Sequence, residues 1–273
     1  MKQLYSFAIP ALALVLSTPL QAASTEEIDR LYEVMRTKDL LEVMSDEGLA
    51  EAEGLQDDML GGRGGAAWDQ SLARIYSVSA MEATFRATFD AELASADIAP
   101  LLDFFASDTG QRVVRFEIEG RAAISDDAVE EAAKTAYFQL APEGTRLKLL
   151  TEFLELNDLV ELNVAGAMTA NLAFFRGMAE GGGFEMDEAT MLARVWEQEG
   201  ELRANTTEWV TAYLTFAYAR LSDEELAAYI EISETKAGRA LNRALFTGFY
   251  DVFTGISYDL GEMASRFMVT EEL

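Results

Sequence analysis

Residues 24–35 read Ser24-Thr25-Glu26-Glu27-Ile28-Asp29-Arg30-Leu31-Tyr32-Glu33-Val34-Met35, and this stretch decides the fold class. Ser24 followed by Glu27 is a capping box: the hydroxyl accepts a backbone N–H at the helix start, and the carboxylate reaches back to the cap. Ile28, Leu31, Tyr32 and Met35 then fall at i, i+3, i+4 and i+7, which places four apolar side chains on one helical face. The same grammar recurs outward from here. Ser222-Asp223-Glu224-Glu225 is a second capping box, and Ile98, Leu101, Leu102 and Phe105 repeat the apolar spacing. Ser125-Asp126-Asp127 opens another helix with acids at its positive end. Ala, Leu and Glu outnumber Val, Ile and Thr, as helices prefer. No stretch alternates apolar and polar residues long enough for a sheet. The expected fold is all-α.

The first residues have a different character. Positions 3 to 25 carry no charge; Lys2 supplies a basic start, and Phe7 to Leu16 is an apolar run of secretory-signal length. Pro19 breaks the helix, and Leu20-Gln21-Ala22 offers a cleavage site after Ala22. Residues 1–22 are therefore expected to be a signal peptide, the alternative being an anchor that is retained. The longest later charge-free run, Leu162 to Phe175, has 14 residues and includes two Asn, too short and too polar for a membrane span. The expected location is a bacterial periplasm.

An internal repeat organises the remainder. Leu31, Glu33, Asp39, Leu40 and Glu42 recur as Leu150, Glu152, Asp158, Leu159 and Glu161, 119 residues later. Gly61-Gly62 and Leu72-Ala73-Arg74 recur 120 residues on, as Gly181-Gly182 and Leu192-Ala193-Arg194. Beyond an eight-residue insertion, Leu93, Gly110, Arg115 and Gly120 meet Leu221, Gly238, Arg243 and Gly248 at an offset of 128. The pattern predicts tandem homologous helical bundle repeats, 23–141 and 142–273, forming one elongated or two-lobed protein with its boundary near Pro142-Glu143-Gly144.

The recurring residues include Phe104-Phe105-Ala106-Ser107-Asp108-Thr109-Gly110-Gln111-Arg112, which resembles the aromatic–Ser–x–x–Gly–Gln–basic segment of the bacterial domain-of-unknown-function family 2059. Tyr229 to Arg239 looks like a degraded second version, with Thr235 for the Ser and Gly238 retained. The resemblance implies an exported helical protein and brings no catalytic residue with it. In physical terms Ser107 and Thr235 suit N-caps. Gly110 and Gly238 in the first turn, and Gly120 and Gly248 ten residues later, suit close helix approach. The functional alternative is a ligand junction with free N–H groups facing an anion.

Composition removes most catalytic chemistries. The 273 residues hold 21 Lys plus Arg against 48 Asp plus Glu, a net charge of −27, with no His and no Cys. That excludes disulfides, thiolate nucleophiles, Ser-His-Asp triads and standard zinc sites. The acidity argues against nucleic acid, which needs clustered Lys and Arg. Gly61-Gly62-Arg63-Gly64-Gly65 lacks the Lys-Ser/Thr ending of a phosphate loop and reads, with Gly181-Gly182-Gly183, as a helix connection. Acid clusters such as Asp126-Asp127 with Glu130-Glu131 read as helix starts or solvated faces. Arg115 and Arg243 read as ion-pairing residues, Arg115 with Glu119, or alternatively as duplicated anion anchors. Phe246, Phe249, Tyr250 and Phe253 read as core, or as the lining of an apolar groove between the halves.

No catalytic, cofactor-binding or metal-ligating residue is expected, and no cofactor. The sequence favours an envelope protein that binds another protein, a peptide or a small molecule. The alternative is a carboxylate-dependent hydrolase acting on an envelope glycan, which needs two acids across a cleft.

Overall fold

Hydrogen-bond capping and apolar spacing lead to an architecture of helices only among the described residues of the computed structural model, which are 22–61, 64–182 and 185–271. The expected signal segment, with its basic, apolar and Pro19 features, lies outside them except for Ala22, as do Gly62, Arg63 and Gly183 of the glycine runs. Seven helices occupy the first half: α1 (Thr25–Val34), α2 (Thr37–Leu60), α3 (Gly65–Ile75), α4 (Val78–Leu93), α5 (Ala99–Phe105), α6 (Asp108–Ile124) and α7 (Asp127–Phe138). The second half holds α8 (Thr145–Leu156), α9 (Leu159–Glu180), α10 (Glu188–Glu197), α11 (Glu199–Ala217), α12 (Asp223–Glu234) and α13 (Lys236–Glu271), with a 3-10 turn at Tyr218–Arg220. Among the described residues no helix is long and apolar enough to cross a membrane.

The caps form where the sequence places them. Ser24 accepts from the Glu27 amide at 3.2 Å while Glu27 accepts from the Ser24 amide at 2.8 Å, and Ser222 with Glu225 repeats both distances. At α7 the cap is Asp126, which accepts from the Ala128 and Val129 amides; Ser125 instead closes α6 by donating to the Ala122 carbonyl. Glu130 and Glu131 both pair with Lys134 rather than forming a bare acidic face.

Helix order runs in parallel through the two halves. A short helix, a long one, a short one, a longer one and a short one lead in each case to the Ser107 or Thr235 cap. Then the first half uses α6 and α7 where the second runs unbroken through α13. The first joint of each half turns on a non-glycine residue in left-handed backbone, Arg36 at φ 51° and Asp158 at φ 50°. These joints lie 122 residues apart, so the first two helices sit three residues out of the register read from Leu31 and Leu150.

The core crosses the boundary between the halves. Phe85 and Phe89 on α4 are fully buried and stacked at 5.1 Å, and Phe85 meets Phe249 of α13 at 4.8 Å. One apolar cluster joins Leu31, Leu41, Trp68 and Phe89 to Leu241, Ala244 and Ala264. Burying each such large side chain contributes roughly 1.5–3 kcal/mol, so the first half owes much of its core to the last helix. Helices α9 and α13 cross with backbones touching: a Cβ on Gly177 would overlap the Tyr258 carbonyl, and one on Gly261 the Phe174 carbonyl.

Candidate functional site

The two glycine junctions have matching geometry. Ser107 Oγ accepts the Gly110 amide at 3.1 Å and donates to the Phe104 carbonyl at 2.6 Å. Thr235 Oγ1 accepts the Gly238 amide at 2.9 Å and donates to the Ile232 carbonyl at 2.7 Å. At each junction the cap hydroxyl thus takes up the glycine amide. Each glycine faces the last turn of the preceding helix: a Cβ on Gly110 would overlap the Phe104 carbonyl, and one on Gly238 the Ile232 carbonyl. Gln111 donates to the Phe105 carbonyl at 2.6 Å and the Val34 carbonyl at 2.9 Å, satisfying two helix C-termini at once. At the second junction Arg239 replaces the Gln, and Asn242 donates to the Asn157 carbonyl just beyond α8 at 3.2 Å.

Gly120 and Gly248 make reciprocal approaches. A Cβ on Gly120 would lie 3.0 Å from the Ala217 Cβ of α11 and 3.7 Å from the Tyr213 ring. One on Gly248 would lie 2.8 Å from the Phe85 ring of α4. Tyr213 and Phe85 are themselves 128 residues apart, so each half presents its glycine helix to the same element of the other. The conserved spacing does not extend to charge. Arg115 approaches Glu119 only at 3.9 Å with both about half exposed, and Glu119 bonds Arg220 at 2.6 Å. Arg243 is exposed and forms no ion pair among the described residues. A duplicated ion pair is therefore not formed.

Between the halves lies a cavity of about 250 Å³, lined by α2, α5, α6, α8, α9, α11, α12 and α13. Its walls are mainly apolar, with Leu101, Phe105, Val210, Leu241 and Phe249 among them. It adjoins a groove of about 460 Å³ lined by Phe246, Phe249, Tyr250 and Phe253. The C-terminal aromatics are thus partly exposed and face this groove, with Phe249 also packing on Phe85, rather than forming an enclosed core stripe. Arg121 lines the cavity and the groove together; it clasps Glu47 at 2.7–2.9 Å and lies over the Trp209 ring at 4.9 Å.

Of the seven predicted junction residues other than Gly238, none lines the cavity; Gly238 does, beside Ser233. The residue that gives the cavity its chemistry is Glu117, the one carboxylate among its described lining residues. Three tyrosines of the second half flank it. Tyr218 donates to its carboxylate at 2.6 Å, Tyr213 donates to its main-chain carbonyl at 3.1 Å, and the Tyr229 phenol lies beside the carboxylate. Burial pushes the Glu117 carboxyl up to about 7, against the downward pull of the Tyr218 and Tyr229 hydroxyls. Burial and the Glu117 charge in turn raise both phenols well above their ordinary range. An aromatic box supports them: Tyr229 stacks on Phe104 at 5.6 Å and meets Phe153 at 4.9 Å, and Phe153 meets Tyr218 edge-on at 5.5 Å.

Sequence reasoning passed over Glu117, although a signal existed. Val113, Glu117, Gly120 and Ile124 lie at i, i+4, i+7 and i+11, so the acid interrupts an otherwise buried face of α6. Among the described residues, no group of three carboxylates is placed to hold a metal ion.

Fold and cavity together define an all-helical protein with an acid-bearing interior chamber. Residues 79–136, from α4 to α7, match the sequence model of a family described as uncharacterized protein conserved in bacteria (DUF2059). That match includes the Ser107–Gln111 segment, Arg115, Gly120 and Glu117, and stops short of the second half. No curated protein and no solved structure matches the chain.

Proposed function

We propose that this chain is an exported protein of the bacterial cell envelope, built from two homologous halves, that works by binding a ligand between them rather than by catalysis. The observation carrying this reading is the chamber at the meeting of the halves, apolar on most of its wall and furnished with one held carboxylate. Sites of this kind, concave and apolar with a few placed polar groups, are where small molecules bind. The parallel helix order, the matching caps and the reciprocal glycine crossings support a duplicated origin. The charge-free, Lys2-led start supports export.

A glycan hydrolase working through paired acids gains nothing from the geometry. It needs two carboxyl groups across a cleft, and Glu117 stands alone in the chamber while Glu47 is held by Arg121. A thermal-shift screen of small apolar compounds tests the binding reading: ligands should raise the melting temperature, and Phe-sized substitutions at Val210 should abolish the shift. Turnover of an envelope glycan without any ligand-induced shift would overturn it. Cell fractionation and N-terminal sequencing test the rest, with a mature chain starting at Ala23 as the expected result.

A further inference from the structure

We propose that the chamber takes a small amine with an apolar body, its ammonium group seated on the Glu117 carboxylate. This deepens the binding reading above and rests on it. The starting point is the one carboxylate among the described residues of the chamber wall. Several of the donors on the chamber wall are committed inside the protein. Tyr218 serves Glu117, Tyr213 serves a main-chain carbonyl, Ser233 donates to the Tyr229 carbonyl at 2.7 Å, and Arg121 is clasped by Glu47.

The three wall amides are committed in the same sense. Asn157 donates its NH₂ to the Phe153 carbonyl at 2.9 Å, Asn163 to the Leu159 carbonyl at 2.7 Å, and Asn242 to the Asn157 carbonyl at 3.2 Å. Since a carbonyl can only accept, these bonds fix which end of each amide is nitrogen. Each amide keeps its oxygen and one N–H, so what sets the wall apart is the Glu117 carboxylate with its unfilled lone pairs. A carboxylate can only accept, so it selects a donor.

Charge points the same way. A carboxylate enclosed by apolar residues and phenols, with no cation of its own, is poorly compensated. An ammonium ion supplies that compensation and up to three N–H donors. The chain's net charge of −27 favours the approach of a cation and repels an anion. Size limits the remainder of the molecule. An apolar cavity of about 150 Å³ holds one benzene, so about 250 Å³ suits a single ring with a short chain.

The test is isothermal titration of the whole protein at pH 8 with three probes of one shape: phenethylamine, 2-phenylethanol and phenylacetate. At that pH Glu117 is ionised and the amine still protonated. Phenethylamine should bind one to one, about tenfold or more tighter than the alcohol, the range for a charge-assisted hydrogen bond. Phenylacetate should not bind. The isosteric Glu117→Gln variant should lose the amine's advantage and keep the alcohol's affinity. Equal binding of amine and alcohol, or amine binding unchanged in Glu117→Gln, would overturn the ligand class while leaving the chamber a binding site. Failure of all three probes to bind would overturn the binding reading itself.

Discussion

The Ser107 and Thr235 junctions perform one task with different neighbours. Both cap a helix with a hydroxyl, and both need glycine three residues later because a carbonyl of the previous helix occupies the space of a side chain. They differ in what the next residues do. At the first, Gln111 ties off two helix ends and Arg112 reaches across to Glu225 at 2.8 Å. At the second, the tie moves one turn along to Asn242, which lines the chamber with Gly238 and Ser233. The motif therefore reaches the chamber in both halves, through Phe105 in the first and through Tyr229, Ser233 and Gly238 in the second. Glu117, the carboxylate of the chamber wall, lies outside both motifs.

Substitution can break or sharpen this comparison. The largest effect is expected from Gly110→Ala and Gly238→Ala, each forcing a methyl group onto a backbone carbonyl. Both should cost about 3 kcal/mol or more, at the upper end of overpacking. Equal losses in chemical denaturation support equivalent junctions, whereas tolerance at Gly238 alone would show that the chamber yields.

Glu117 supplies the next test. Its carboxyl is raised to about 7 in the folded chain and lies near 4.5 when unfolded. The folded state therefore holds the proton more tightly across that interval. Stability contributed by this group is complete below pH 4.5, falls as pH rises to about 7 and is flat above, a change on the order of 3 kcal/mol. Glu117→Gln should remove that slope from a plot of unfolding free energy against pH. An unchanged slope would mean the carboxyl is not enclosed.

Gln111→Ala should cost about 1–3 kcal/mol by stranding the Val34 and Phe105 carbonyls, and Asn242→Ala less, since one bond is lost there instead of two. The reverse order would place the main tie at the chamber side. Smallest of all, Ser107→Ala and Thr235→Ala should each cost about 1 kcal/mol in melting experiments.

The helices were legible because their signals are local. Capping boxes at Ser24 and Ser222 and the apolar spacing from Ile98 act within a few residues, so the chain alone reveals them. Ser107 was legible as a cap for the same reason. Its glycine partner was only half legible, since nothing local says that the close neighbour is the helix before it. Arg115 does pair with Glu119, at 3.9 Å, but the i+4 spacing carries no word of Arg220, which takes the shorter bond to the same carboxylate from the 3-10 turn. Glu117 was hidden among 48 acids, and the tyrosines that distinguish it arrive from about 100 residues downstream.

The reciprocal crossing of Gly120 and Gly248 also governs how the chain is assembled in time. Synthesis delivers α4 long before α13, yet the Phe85 ring finds its close-packed partner only at Gly248. Contacts of such long sequence separation form slowly, and apolar surface waits uncovered until they do. The first 141 residues made alone should stay loosely packed and prone to aggregate, so the last helix acts as the clasp that completes the first core.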